Sequence, residues 1–150
     1  MTALTRMRVL TLCSVVLALP CGMACAQSGD DNPLAGSKAF LYDQMTVRTA
    51  PNGSESRRVV KGTLSTGESV SVHETTQPAG TVPPPLHKNE HSEMIVVEQG
   101  TVEFQHDGKA ERVGPGGIIY VAFGTMHFVR NMGDAPAKYV VVEIGGDAKK

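Results

Sequence analysis

The sequence predicts an all-β domain, an antiparallel sandwich or barrel, behind a secretory leader. Three observations lead there. After residue 50, apolar and polar residues alternate in short runs, the period of a half-buried strand. Clusters of Gly, Pro, Asn and Asp punctuate those runs at roughly the eight- to ten-residue spacing of small β domains. Outside the leader no segment carries a convincing helical periodicity, which excludes helical and α/β architectures.

The leader comes first. Arg6 and Arg8 are the only charged side chains in residues 1–26, and Val9 to Leu19 is an apolar run. Pro20 and Gly22 break it, and Ala24-Cys25-Ala26 precedes Gln27. A basic start, a short apolar stretch and a small-x-small site predict a signal peptide cleaved after Ala26. The run is shorter than the roughly 20 residues that cross a bilayer, which weighs against a membrane anchor. A lipidated Cys25 is disfavoured because Gly22-Met23-Ala24 lacks the expected upstream Leu. Cys13, Cys21 and Cys25 all lie in this leader. The mature domain, expected in the periplasm or secreted, therefore has no thiol to pair, ligate or attack.

Residues 27–50 read as a lead-in, flexible from Gln27 to Ser37 and mixed in pattern from Lys38 to Thr49. Pro51-Asn52-Gly53-Ser54 is a turn. The domain proper spans 51–147. Arg57–Leu64 and Glu68–Thr76 are predicted strands around Thr66-Gly67. In the second, Val70 and Val72 share one face and Ser71 and His73 the other. Pro83-Pro84-Pro85 must be an edge or an extended entry. Met94–Glu98 and Thr101–His106 follow, separated by Gln99-Gly100. Asp107-Gly108 is the strongest hairpin signal in the chain, answered by Ala110–Val113. Ile118–Ala122 reads as a buried strand, His127–Asn131 as another, and Lys138–Ile144 as the last and most apolar.

Composition agrees, with 41% hydrophobic and 19% charged residues and no Trp. A formal net charge of -1 offers no field for nucleic acid or an acidic membrane. No Gly-rich phosphate loop and no Gly-x-Ser-x-Gly elbow is present, so nucleotide-dependent and serine hydrolase chemistry are not expected.

The chemistry concentrates in His87-Lys88-Asn89-Glu90-His91-Ser92-Glu93. His87, Asn89, His91 and Glu93 fall at spacing two, one face of an extended chain. That face is costly to bury without a compensating cation, and imidazole with carboxylate suits a first-row transition metal. The plainer reading is a solvated strand on a rim, which Lys88 and Glu90 would suit.

The surrounding spacing resembles the cupin family, whose two motifs are Gly-x5-His-x-His-x3–4-Glu-x6-Gly and Gly-x5-Pro-x-Gly-x2-His-x3-Asn. This chain has Gly80, His87-x-Asn89, Glu93 and Gly100, then Gly116, Ala122-x-Gly124, His127 and Asn131. The resemblance covers Gly80 to Asn131. It implies a double-stranded β-helix, or jelly-roll barrel. It also implies metal ligation by His87, Glu93 and His127. Asn89 stands where the family has its second histidine, while Ala122 for Pro and one extra residue before His87 are loop changes.

Three outcomes follow from Asn89. The trio His87, Glu93 and His127 binds alone, a two-His, one-carboxylate set; His91 turns inward as the missing imidazole; or the metal is lost and the pocket kept. Among other residues, His106 is expected at the surface, and His73 in the cavity or on a dimer face. Tyr120, Phe104, Phe128, Met94 and Met126 are expected mainly in the core, some lining a pocket. Arg130 is expected to be an exposed strand charge.

The expected function is therefore a metal-dependent dioxygenase, decarboxylase, isomerase or lyase. Its substrate would be a small organic molecule, its metal Fe, Mn, Zn, Ni or Cu, and Glu93 its proton-handling group. A non-catalytic ligand-binding or sensing module, and a structural dimer with a vestigial site, are the alternatives. The resemblance implies a homodimer, and from the charge and the short leader no membrane partner is expected in the mature form.

Overall fold

The computed structural model describes residues 32–146. The signal peptide and its cleavage site lie outside them. Among the described residues, nine strands form two antiparallel sheets. β1 is Thr46–Thr49, β2 Glu55–Thr63, β3 Ser69–Gln77, β4 Ser92–Gln99 and β5 Val102–His106. β6 is Lys109–Val113, β7 Ile118–Val121, β8 His127–Asn131 and β9 Ala137–Ile144. The larger sheet runs β1-β2-β3-β9-β4-β7 and the smaller β6-β5-β8. Insertion of β9 between β3 and β4 is the long-range crossing of a jelly roll.

Every strand expected after residue 54 is present within two residues of its expected ends. β1 is an addition, with a short 3-10 turn at Tyr42–Gln44 before it. Tyr42 carries the lead-in onto the outer face of the large sheet, its ring beneath the Arg57 guanidinium at 4.0 Å. Arg57 and Lys138 in turn flank the buried Glu74 there, at 3.8 and 2.9 Å.

Alternation decides the core. Ile95 and Val97 of β4, Ile119 and Val121 of β7, and Ala137, Tyr139 and Val141 of β9 point inward. From the small sheet Val102, Phe104 and Val129 meet them. β7 corrects one expectation: it is not buried on both faces. Ile119 and Val121 are inside, while Ile118 and Tyr120 are 60% and 61% exposed. Tyr120, expected mainly in the core, is exposed because the outer face of β7 has no covering layer, and Met126, also expected there but in the loop between β7 and β8, is exposed as well.

Two turns fix the register. Asp107 and Gly108 have φ of 46° and 74°, the paired left-handed geometry of a type I′ hairpin. Gly100, at φ 75°, turns β4 into β5 against β9. A Cβ there would stand 2.9 Å from the Ala137 Cα.

Candidate functional site

Between the two sheets opens a cavity of about 210 Å³. His73 and Thr75 of β3, Glu93 and Ile95 of β4, and Tyr139, Val141 and Glu143 of β9 form the large-sheet wall. His127 and Val129 of β8, with Pro84, His87 and Asn89 from the entry segment, form the other. Strand alternation explains the wall: β4 buries Glu93, Ile95 and Val97 in turn, so the face that packs the core delivers the carboxylate at its end.

The triple proline keeps the entry segment extended, and His87 zips onto the start of β8. The His87 N–H donates to the His127 carbonyl at 3.1 Å, and the His127 N–H to the His87 carbonyl at 2.8 Å. The two rings stand 4.7 Å apart. Each Nδ1 lies against a backbone carbonyl, His87 against Pro85 at 3.0 Å and His127 against Thr125 at 2.9 Å. A carbonyl only accepts, so Nδ1 carries the proton in both rings. In the neutral imidazole, Nε2 is then left as the donor atom for a ligand.

Glu93 sits at the centre. Its Oε2 is 3.6 Å from His127 Nε2. Its Oε1 accepts from His91 Nε2 at 2.9 Å and from the Asn89 amide. Burial opposes the charge, but donors from His127, His91 and Asn89 outweigh it and hold the carboxyl at about 2. Burial likewise works against a charged His127, yet the Glu93 carboxylate and the Thr125 carbonyl raise its affinity for a proton. Burial, with the Glu93 charge beside it, raises the Tyr139 phenol, partly offset by its hydrogen bond to Thr75. That phenol stays protonated.

The sequence-predicted residues thus separate. His87, Asn89, Glu93 and His127 meet at the cavity. His91 is buried against Glu93 but is absent from the lining. His73, for which the sequence left two positions open, lies in the cavity. The small sheet covers the Ser71–His73 face of β3, so its polar face is the inner one. Glu143 was missed. It lies directly across from Glu93 in the β4–β9 pairing, a juxtaposition set by long-range register that no local pattern announces. His106 stacks on Phe104 with centroids 4.4 Å apart, and Asp107 and Glu111 engage its two nitrogens at 3.3 and 3.0 Å. Arg130 pairs with Glu103 at 2.6 Å.

The donor set contains two imidazoles that present Nε2 when neutral, His127 giving up the proton it shares with Glu93, and one ionised carboxylate, a composition that fits a divalent transition metal. Among the described residues, no three His, Cys, Asp or Glu side chains already stand in ligand geometry around one point. Glu93 Oε1 is instead taken by Asn89 and His91.

A jelly-roll sandwich with an imidazole–carboxylate cavity between its sheets defines a small β-barrel class. More narrowly, residues 72–143 match the family model described as Cupin domain, and the chain belongs to the cupin superfamily. An RmlC-like cupin from Shewanella frigidimarina is similar in structure: 15% identity, 72% of this chain and 91% of that one covered, TM-score 0.60. A predicted oxalate decarboxylase from Thermotoga maritima aligns at 19% identity over 71% of this chain and 98% of that one, TM-score 0.57. A sugar phosphate isomerase from Silicibacter pomeroyi aligns at 20% identity over 71% and 74%, TM-score 0.57. At these identities the likeness is one of fold. No curated protein matches the sequence.

Proposed function

We propose that the cavity holds a divalent transition metal through His87, Glu93 and His127 and acts on a small organic molecule outside the cytoplasm. The observation that carries this is the tethering of both Nδ1 atoms to backbone carbonyls, which leaves Nε2 as the ligating atom of each ring, that of His127 3.6 Å from the buried Glu93. Iron, manganese, zinc, nickel or copper bound there supplies Lewis-acid polarisation of a substrate oxygen. Glu93 offsets the charge of the site and, with Oε2 toward the cavity, is placed to move a proton. Asn89 and His91 orient Glu93 from behind rather than ligate. Ile95, Val129 and Val141 supply the apolar wall that excludes water. Decarboxylation, isomerisation, lysis and dioxygenation are all compatible with such a centre, because this fold hosts many chemistries. The exposed Ile118 and Tyr120, beside Val96 and Met94 in the sheet, support a homodimer formed through the outer face.

A second reading has its own support. Glu93 is already satisfied by His127, His91 and Asn89 without any cation, as a metal-free ligand-binding or sensing pocket would require.

One experiment separates the two. The domain from Gln27, purified without chelators, is expected to carry stoichiometric metal, lost in Glu93→Ala and in His127→Ala. Wild type that binds no divalent metal tighter than micromolar would falsify the metal reading. A ligand-dependent rise in melting temperature of that metal-free protein would then favour the binding module.

A further inference from the structure

The cavity holds a second imidazole–carboxylate pair that the ligand set does not use. His73 of β3 and Glu143 of β9 approach to 3.6 Å between Nδ1 and Oε1. They stand on adjacent strands, His73 opposite Val141 and Glu143 opposite Ser71, a diagonal within reach of long side chains. Both line the cavity, and their side chains keep 26% and 21% of their exposure, so a ligand can reach them. His73 Nε2 makes no hydrogen bond to any described residue. His106 is the contrast: carboxylates occupy both its nitrogens, which leaves no lone pair for chemistry.

We propose that His73 is a proton-abstracting residue and Glu143 its positioning partner, acting on a small neutral carbonyl compound bound in the same cavity. The carboxylate selects the Nδ1–H tautomer and leaves Nε2 as the base. Burial makes His73 harder to protonate than an ordinary imidazole. Arg58 of β2 and His91 beside β4 act in the same direction, while Glu143 and Glu93 oppose it. The neutral base therefore predominates at neutral pH. The ligand class follows from charge. Glu93 and Glu143 both face the cavity, and none of its lining residues is Lys or Arg, so a free anion is repelled and a neutral polar molecule is admitted.

The step balances without an oxidant or reductant. His73 Nε2 takes the proton from the carbon next to the carbonyl. The C–H electron pair becomes the C=C of an enolate, and the carbonyl π pair moves to oxygen. The imidazolium, stabilised by Glu143, returns a proton, or a deuteron from D₂O, to the same carbon, as the C=C pair re-forms the C–H bond and the oxygen pair re-forms the carbonyl. The outcome is exchange at that carbon.

This inference rests on the small-molecule reading of the cavity but not on a bound metal, and its test keeps the two apart. Dihydroxyacetone in D₂O serves as the probe, with loss of its carbon-bound protons followed by ¹H NMR. Wild type is expected to exchange them faster than buffer. The rate should fall roughly 100-fold in His73→Gln, and about ten-fold in Glu143→Gln through loss of tautomer control. Imidazole ¹⁵N spectra supply a readout besides activity. His73 is expected as the Nδ1–H tautomer in wild type and as a tautomer mixture in Glu143→Gln, and its signal should shift on adding dihydroxyacetone. Exchange no faster than buffer, a rate unaffected by His73→Gln, or a His73 signal that ignores the probe would each overturn the assignment. Chelator-treated wild type that retains the shift and the exchange would support this inference whether or not the metal reading holds, which metal binding alone decides.

Discussion

Glu93 carries a charge where burial opposes it, and the consequence is a pH dependence with a definite sign. Its folded-state value of about 2 lies below the 4.5 of an unperturbed side chain. The unfolded chain therefore binds the proton first as pH falls. Stability from this group is fully present above about pH 4.5 and is lost as pH drops through about 2. In chelator-treated protein, Glu93→Gln is expected to cost on the order of 2–3 kcal/mol at pH 7. Urea denaturation should show that gap closing across the same acid window; a gap constant with pH would mean that the His127, His91 and Asn89 contacts do not depend on the charge. Sequence spacing alone picks out His87, Asn89, Glu93 and His127. It leaves His91 open, because on an extended chain His87, Asn89, His91 and Glu93 share a face. The strand begins only at Ser92, and the His87 segment before it is bound to β8. His87 therefore lines the cavity, while His91 is buried against Glu93 outside that lining.

At the scale of elements, the turns do two kinds of work, and two alanine substitutions tell them apart. Gly108 and Gly100 have nearly the same φ, 74° and 75°. An added Cβ meets nothing within 4 Å at Gly108 but stands 2.9 Å from the Ala137 Cα at Gly100. Gly108→Ala is expected to cost about 1 kcal/mol, backbone strain alone. Gly100→Ala should cost about 2–4 kcal/mol, since the chain must also move away from β9. Equal costs in chemical denaturation would show that the close approach of Gly100 to β9 is not needed. Strand positions were legible because a period of two survives in short segments, as in β8, where the expected and observed ends coincide. The burial of β7 was not. Ile118 to Val121 reads as continuously apolar, and only its edge position, with one face uncovered, exposes Ile118 and Tyr120.

At the scale of the whole molecule, the domain is cysteine-free after residue 26, so no disulfide supports it and the two-sheet core must. Export remains the expectation of the leader, and its check is direct. N-terminal sequencing of exported protein should begin at Gln27, and an intact Met1 would end the cleavage argument. By itself the sequence determined the local terms: the all-β class, the strand positions, the I′ hairpin, and three residues of the cavity at family spacing. These follow from periodicity and turn stereochemistry, which act over a few residues. Only the tertiary structure decided that the polar face of β3 is the inner one, that Asn89 and His91 hold Glu93, and that Glu143 stands across from it. Those outcomes depend on β9 entering between β3 and β4. The pairing joins segments distant in the chain, and its register comes from the packing of two sheets rather than from any local preference.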